Sequence, residues 1–389
     1  MQRRGRIRGG PSRLVVFFAV CTASVLAATA PLVAHTTAAK SDPQLAAAIA
    51  ATKKAYKGTD RPVDPTPRAA TPDKHLVIVS AGQSSISAQV PVSAAVDAAN
   101  AIGWQVDVYD GKLTPATYPE LVRQAIAADA DGIMLVAIDC RLVKQPLEEA
   151  RAKGIAITAI GAFDCNDPQA GGAKRGLFNA TINLGPSASN IGAWVASYGA
   201  QQANYMIANS KNAARILLVT APEFTTLHYI DKGFRETIAR SGGSKIVSTL
   251  QLSSADFVNG QLVPKIQAEL LRHPEVTWVR SPFTYATTLG VVPALATNSS
   301  SVKVMGGEGY QPEIDLLREE KITAVNVVSA AWESWAAIDA LNSTFRHEKP
   351  VDSGFGWIMT DRNHNLPPTG QPEPAYDFEA AYRKAWGVA

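Results

Sequence analysis

The chain carries many residues able to do chemistry, but their spacing lacks the familiar reactive patterns. Six histidines, His35, His75, His228, His273, His347 and His364, are scattered, and none forms an H-x-x-x-H or H-E-x-x-H pair, so no metal site is expected. No G-x-S-x-G elbow offers a serine nucleophile at a strand-to-helix turn. No G-x-x-x-x-G-K-[ST] loop exists to cradle phosphates, and no G-x-G-x-x-G follows the first strand, so no cofactor is expected. The acid pairs Glu148-Glu149 and Glu319-Glu320 suit solvated helix faces. Two of the three cysteines hold matched places, because Cys140 and Cys165 each follow an apolar strand, Gly132–Ile138 and Ile155–Ile160. Consecutive strands of a β-α-β unit are usually neighbours. In an exported chain the compartment then favours a Cys140–Cys165 disulfide, with two buried thiols as the competing reading. Such a bridge would pin a pocket rim and have no catalytic part.

The elements that must position these residues alternate. Leu76–Val79 is a β-branched run, with a helix over Val90–Ile102 closed by Gly103. Strands are predicted at Gln105–Tyr109, Gly132–Ile138 and Ile155–Ile160, with helices at Tyr118–Ala128 and Leu147–Lys153. After Ile182 the rhythm restarts. A helix spans Asn190–Ala208, and then come a strand at Arg215–Thr220, a helix at Asp231–Ser241, a strand at Ile246–Leu252 and a helix at Leu262–Arg272. Val276–Val279, Val302–Met305 and Thr323–Val328 read as further strands. Continuous apolar strands separated by helices imply parallel sheets covered on both faces. Two doubly wound α/β lobes follow. Ahead of them, Ser41–Lys74 is a leader with one Ala-rich helix over Pro43–Lys57 and an extended Pro- and Asp-rich stretch.

Charge is concentrated at one end. The chain has 389 residues with 37 basic and 34 acidic groups, and residues 1–39 hold five arginines and no acid. The body is left nearly neutral, which argues against a nucleic-acid partner. A basic start, the apolar run Leu14–Ala30 and small residues up to Ala34 and Ala39 have the order of a signal peptide over 1–39. The alternative is a retained anchor, since Leu14–Ala34 is long enough to span a bilayer. Arg3-Arg4 and Cys21 are weak matches to twin-arginine and lipoprotein signals. The mature protein is expected in the periplasm, the cell envelope or outside the cell, with tethering through an uncleaved signal as the variant.

From about His75 onward the chain resembles the periplasmic sugar-binding proteins of ABC importers, the ribose type. Asp131-Gly132-Ile133-Met134, Ala150–Ile157, Asp164, Lys232-Gly233-Phe234, Gly306-Gly307-Glu308-Gly309 and the final Tyr382–Gly387 follow the family's motifs in order. The resemblance implies an α/β fold of two doubly wound parallel-sheet lobes joined by a three-segment hinge, the type I periplasmic binding protein fold. Its crossings fall near Thr181–Leu184, Val328–Ser329 and Asp352–Phe355. The implied division is 1–39 signal, 40–74 leader, 75–182 plus 329–351 first lobe, and 183–328 plus 352–389 second lobe. The implied function is capture of a small solute and delivery to an ABC permease, without catalysis and as a monomer. A ligand-sensing domain serving a membrane signalling protein is the alternative.

In open parallel sheets, ligands sit beyond the carboxyl ends of the strands. The loops there supply Gln83, Ser84, Ser85, Asp139, Phe163 and Asp164 from the first lobe and Glu223, Phe224, Tyr285 and Glu308 from the second. Asn183 and Trp332 lie near the hinge, and Trp335 shares a helix face with Trp332, so at most one of the two is expected to reach the cleft, with helix packing as the competing reading. The family's pattern is also broken. Thr284-Tyr285 stands where Asn-Asp is usual, Val328 or Ser329 replaces a Gln, and Tyr229-Ile230 replaces an Arg. These losses point to a larger or less polar solute than a pentose.

Overall fold

The computed structural model describes residues 9–17, 42–296 and 301–388. The chain divides into two compact units, Met1–Ser41 and Asp42–Ala389. In the first unit, residues 9–17 have no regular secondary structure. The rest of the predicted signal, with Cys21, Ala34 and Ala39, lies outside the described residues. No helix among the described residues is long and apolar enough to cross a membrane.

The second unit opens with helix α1 (Pro43–Ala55), capped by Asp42, whose carboxylate accepts from the backbone of Gln44 and Leu45. The first sheet then forms from β1 (His75–Ser80), β2 (Gln105–Asp110), β3 (Gly132–Val136) and β4 (Ala156–Ile160), with α2 (Ile86–Ala101), α3 (Tyr118–Ala127) and α4 (Lys144–Ala152) between them. Its order is β2-β1-β3-β4, and every pairing is parallel. All five residues of β3 are buried because helices cover both faces.

The chain then leaves this sheet through a long loop and enters α5 (Ile191–Asn209). There follow β5 (Arg215–Thr220), α6 (Thr225–Ser241), β6 (Lys245–Gln251), α7 (Ser254–Val258), α8 (Leu262–Arg272) and β7 (Trp278–Arg280). Next, α9 (Thr284–Ala286) runs through a π-helical turn, Thr287–Val291, into α10 (Val292–Ala296). The strand β8 (Lys303–Met305), α11 (Gln311–Arg318) and β9 (Ala324–Val328) complete this half. A second crossing leads to α12 (Ala330–Phe345), which packs on α2 and β4 of the first sheet. A third crossing returns to β10 (Trp357–Asp361), and α13 (Phe378–Trp386) ends the chain. The second sheet has the order β10-β9-β8-β7-β5-β6. The first and third crossings touch at the Asn183–Asp352 bridge, where Ser353 donates its N–H and hydroxyl to the Asn183 carbonyl.

Four features differ from the sequence reading. Helix α6 begins at Thr225, not Asp231, because its first turn has no local cap and is capped from the other lobe. The strand β10 is antiparallel to β9, so the second sheet is mixed at its edge. The leader is no loose linker. Arg68 is 2% exposed and pairs with Asp339 of α12 at 2.6 Å, while the backbone of Arg68 and Ala70 bonds to Ala385 and Trp386. Finally, the terminal helix α13, which the implied division places with the second lobe, packs on α12. Trp386 stacks on Trp335 at 5.3 Å and Phe378 on Trp332 at 5.2 Å, fastening the tail to α12.

Candidate functional site

The carboxyl ends of the two sheets face each other across a cavity of about 1020 Å³. It is lined from the first lobe by Ser85, Ser87, Phe163 and Asp164, from the second by Phe224, Tyr285 and Glu308, and at the crossings by Asn183 and Glu333. Aromatic rings form much of its wall. Trp194 packs against Trp357 at 4.3 Å and Phe355 at 5.2 Å, and Tyr198 meets Trp357 edge-on. On the opposite side Phe283 gathers Phe224 and Phe257, and Phe257 meets Tyr285.

Glu308 is placed by its glycine neighbours. A Cβ on Gly307 would sit 2.3 Å from the Phe283 backbone, and Gly309 has φ +77° with Val327 crowding it. Only glycine tolerates that close approach and that left-handed backbone. The tight loop after β8 therefore aims the Glu308 carboxylate inward. It accepts a hydrogen bond from the Thr284 N–H at 2.9 Å and from the Ser87 hydroxyl, on the first lobe, at 2.7 Å. Burial pushes the Glu308 carboxyl up to about 7, against the pull of those two donors. Burial likewise raises Glu333 to about 7, with the Gly161 N–H as its donor.

The lobes are held together by further bonds across the cleft. Asp139, after β3, accepts from the Phe163 N–H on its own side and from the Thr225 N–H at 2.9 Å and hydroxyl at 2.7 Å on the other. Thr225 is the first residue of α6, so one lobe caps a helix of its partner lobe and places a carboxylate at its positive end. Burial raises the Asp139 pKa, and the bonds from Thr225 and Phe163 oppose it. Arg141 donates to the Glu223 carbonyl at 2.7 Å, Thr226 to the Gly161 carbonyl at 2.9 Å and Tyr229 to Asp167 at 2.8 Å. Phe163 stacks on Tyr229 with ring centres 4.9 Å apart. The structure is thus a closed clamp around an internal space.

Cys140 and Cys165 form a disulfide, with Cα atoms 4.9 Å apart. It ties the ends of β3 and β4 beneath Asp139 and Asp164. Both sulfurs being oxidised, their proximity to Asp164 makes no thiolate metal site.

Several residues expected at the site are engaged elsewhere. The Gln83 amide donates to the Ser80 hydroxyl in a turn, and Ser84 is exposed outside the cavity lining. Asp139 and Glu223 are absent from the lining; Glu223 instead accepts from Ser254 at the start of α7. Asp164 does line the cavity, but its oxygens accept from the backbone N–H groups of Cys165, Leu177 and Phe178. Asn183 lies at the mouth, donating to the Pro350 carbonyl. Neither Trp332 nor Trp335 reaches the cavity: Trp332 is fully buried and donates to the Ser353 carbonyl at 2.8 Å. The reading missed Glu333, Ser87 and the Trp194–Tyr198–Trp357 wall. Glu333 follows Trp332 directly, and its position at the first turn of a helix facing the cleft was the available signal.

This arrangement of two facing lobes has a family counterpart. Residues 76–349 match the family model for the periplasmic binding protein domain. The chain belongs to that family. Its fold is shared with GanP, a glucose-galactose binding protein from Geobacillus stearothermophilus, at TM-score 0.63 and 16% identity, over 76% of this chain and 99% of that one. It is similar to an ABC transporter solute-binding protein from Agrobacterium vitis bound with α-D-tagatopyranose, at TM-score 0.63 and 19% identity, over 76% and 97%. It is also similar to the periplasmic component of the arabinose ABC transporter from Shewanella sp. ANA-3, at TM-score 0.61 and 16% identity, over 81% and 98%. No curated protein matches the sequence. The fold is therefore the type I periplasmic binding protein fold, that of ABC transporter solute-binding proteins.

Proposed function

We propose that this binding protein is exported, captures a small solute between its two lobes without altering it, and presents it to an ABC importer as a monomer. The observation that carries this reading is the cavity between the lobes, bridged by hydrogen bonds that run from one lobe to the other. A solute that touches both lobes binds the closed state more tightly and so shifts the open–closed equilibrium. The neighbours named above bind sugars, and a sugar or sugar-like solute is the starting expectation. The lining favours a less polar guest: its amides, Asn166, Asn183 and Asn190, are exposed at the mouth, and rings cover the interior. In this reading 75–182 with 329–351 moves as one body and 183–328 with β10 as the other, the crossings bending between them. Small-angle scattering tests it. A bound solute should reduce the radius of gyration and be recovered chemically intact; turnover of the solute, or binding with no compaction, would overturn it.

A further inference from the structure

We infer that the cavity takes an organic cation, a solute with a bulky apolar or aromatic body that carries an ammonium group. This rests on the solute-capture reading above. The lining is unbalanced in charge: Asp164, Glu308 and Glu333 are its acids, and Lys349, exposed at the rim, is its one base among the described residues. Asp164 is satisfied by three backbone N–H groups. Glu308 and Glu333 have no ion-pair partner among the described residues.

What surrounds the two glutamates brings no positive charge. Glu308 accepts from the Ser87 hydroxyl and the Thr284 N–H, and the further groups that act on it through space are Tyr198 and the carboxylate Glu313. Glu333 meets the Gly161 N–H, and Tyr310 lies near both acids. Arg280, which acts on Tyr198, is committed to Asp231 at 3.0 Å and to Gln202. A buried carboxylate without a cation is costly and holds its proton instead. An ammonium ion supplies the missing charge, and the surrounding ring faces attract the same cation. The volume, near the upper end for pockets that hold drug-sized ligands, leaves room for a body well beyond the charged group.

The competing arrangement keeps both glutamates protonated and has them donate to hydroxyls of a neutral solute. The two differ in the sign of their pH dependence. A cation must expel the glutamate protons, so its affinity rises with pH below about 7, by about tenfold per unit for each carboxyl that ionises. A neutral hydroxylated solute keeps its affinity below about 7 and loses it only as pH rises above that value.

Calorimetry on the full chain with matched probes tests the inference: tryptamine against tryptophol, 1-adamantylamine against 1-adamantanol, and D-galactose and L-arabinose as sugars. The amines should bind, with their hydroxyl twins at least about tenfold weaker. Glu333→Gln should weaken the amines by about thirtyfold, the lower end of the loss when one partner of a buried charge pair is removed. If that variant fails to fold, the pH profile of the unaltered chain decides. Equal or stronger binding of the alcohols, or amine affinity that falls as pH rises, overturns the inference. Binding of a sugar alone also overturns it while leaving solute capture in place. No compaction in scattering with any probe overturns both.

Discussion

At the scale of single residues, the decisive groups are carboxylates whose partners lie on the other lobe. Asp139 is the clearest case, since its loss removes the cap of α6 only when the lobes are together. Asp139→Ala should therefore shift the equilibrium toward the open form by about fivefold, the effect of one helix cap of ~1 kcal/mol. Energy transfer between dyes on the two lobes would read that shift, and an unchanged distribution would show the bond to be incidental. The two raised glutamates make a pH prediction. Unfolded, each loses its proton near 4.5, whereas folded it keeps it to about 7. Between those values the folded chain binds more protons, so stability falls as pH rises through this window. In Glu308→Gln/Glu333→Gln that fall should be smaller by up to a few kcal/mol, measured by urea unfolding at pH 5 and pH 8.

At the scale of elements, the regular parts were legible because each carries its own signal. The strand Arg215–Thr220 and the helix Leu262–Arg272 have the same limits in sequence and structure, since an apolar run between breakers and an amphipathic face are local properties. What was hidden depends on distant partners. The start of α6 is set by Asp139, 86 residues away. The pairing direction of β10 is set by β9, and the ordering of the leader by Arg68 reaching Asp339, 271 residues on. The candidates that fall outside the cavity lining do so for the same reason. Strand-end position put Glu308, Phe163 and Tyr285 at the cavity, but it could not tell an inward-facing side chain from one that caps a neighbouring turn, as Gln83 and Glu223 do. Two predictions belong here. Reducing the Cys140–Cys165 bridge, which closes a loop with a sequence separation of 25, should lower stability by about 3 kcal/mol, seen as a drop in melting temperature with a reductant. Arg68→Ala leaves the Asp339 carboxylate buried without its partner and should cost about 3 kcal/mol or more in denaturant unfolding.

At the scale of the whole molecule, two sheets, three crossings and a fastened tail amount to a hinge with a defined closed state. The leader and the third crossing are joined near that hinge: Arg61 donates to the Leu184 carbonyl and its N–H to the Gly354 carbonyl, while the Thr59 N–H donates to the Trp357 carbonyl. The chain ahead of the first strand thus bonds to both the first and the third crossing. The central claim is that these lobes close on a solute. Single-molecule energy transfer between dyes at Ala128→Cys and Lys232→Cys, both exposed and on opposite lobes, measures it directly. The account predicts two distances for the free chain and a shift to the shorter one as a binding solute is added, with the solute released unchanged on unfolding. One fixed distance, indifferent to every amine, alcohol and sugar tried, would contradict it.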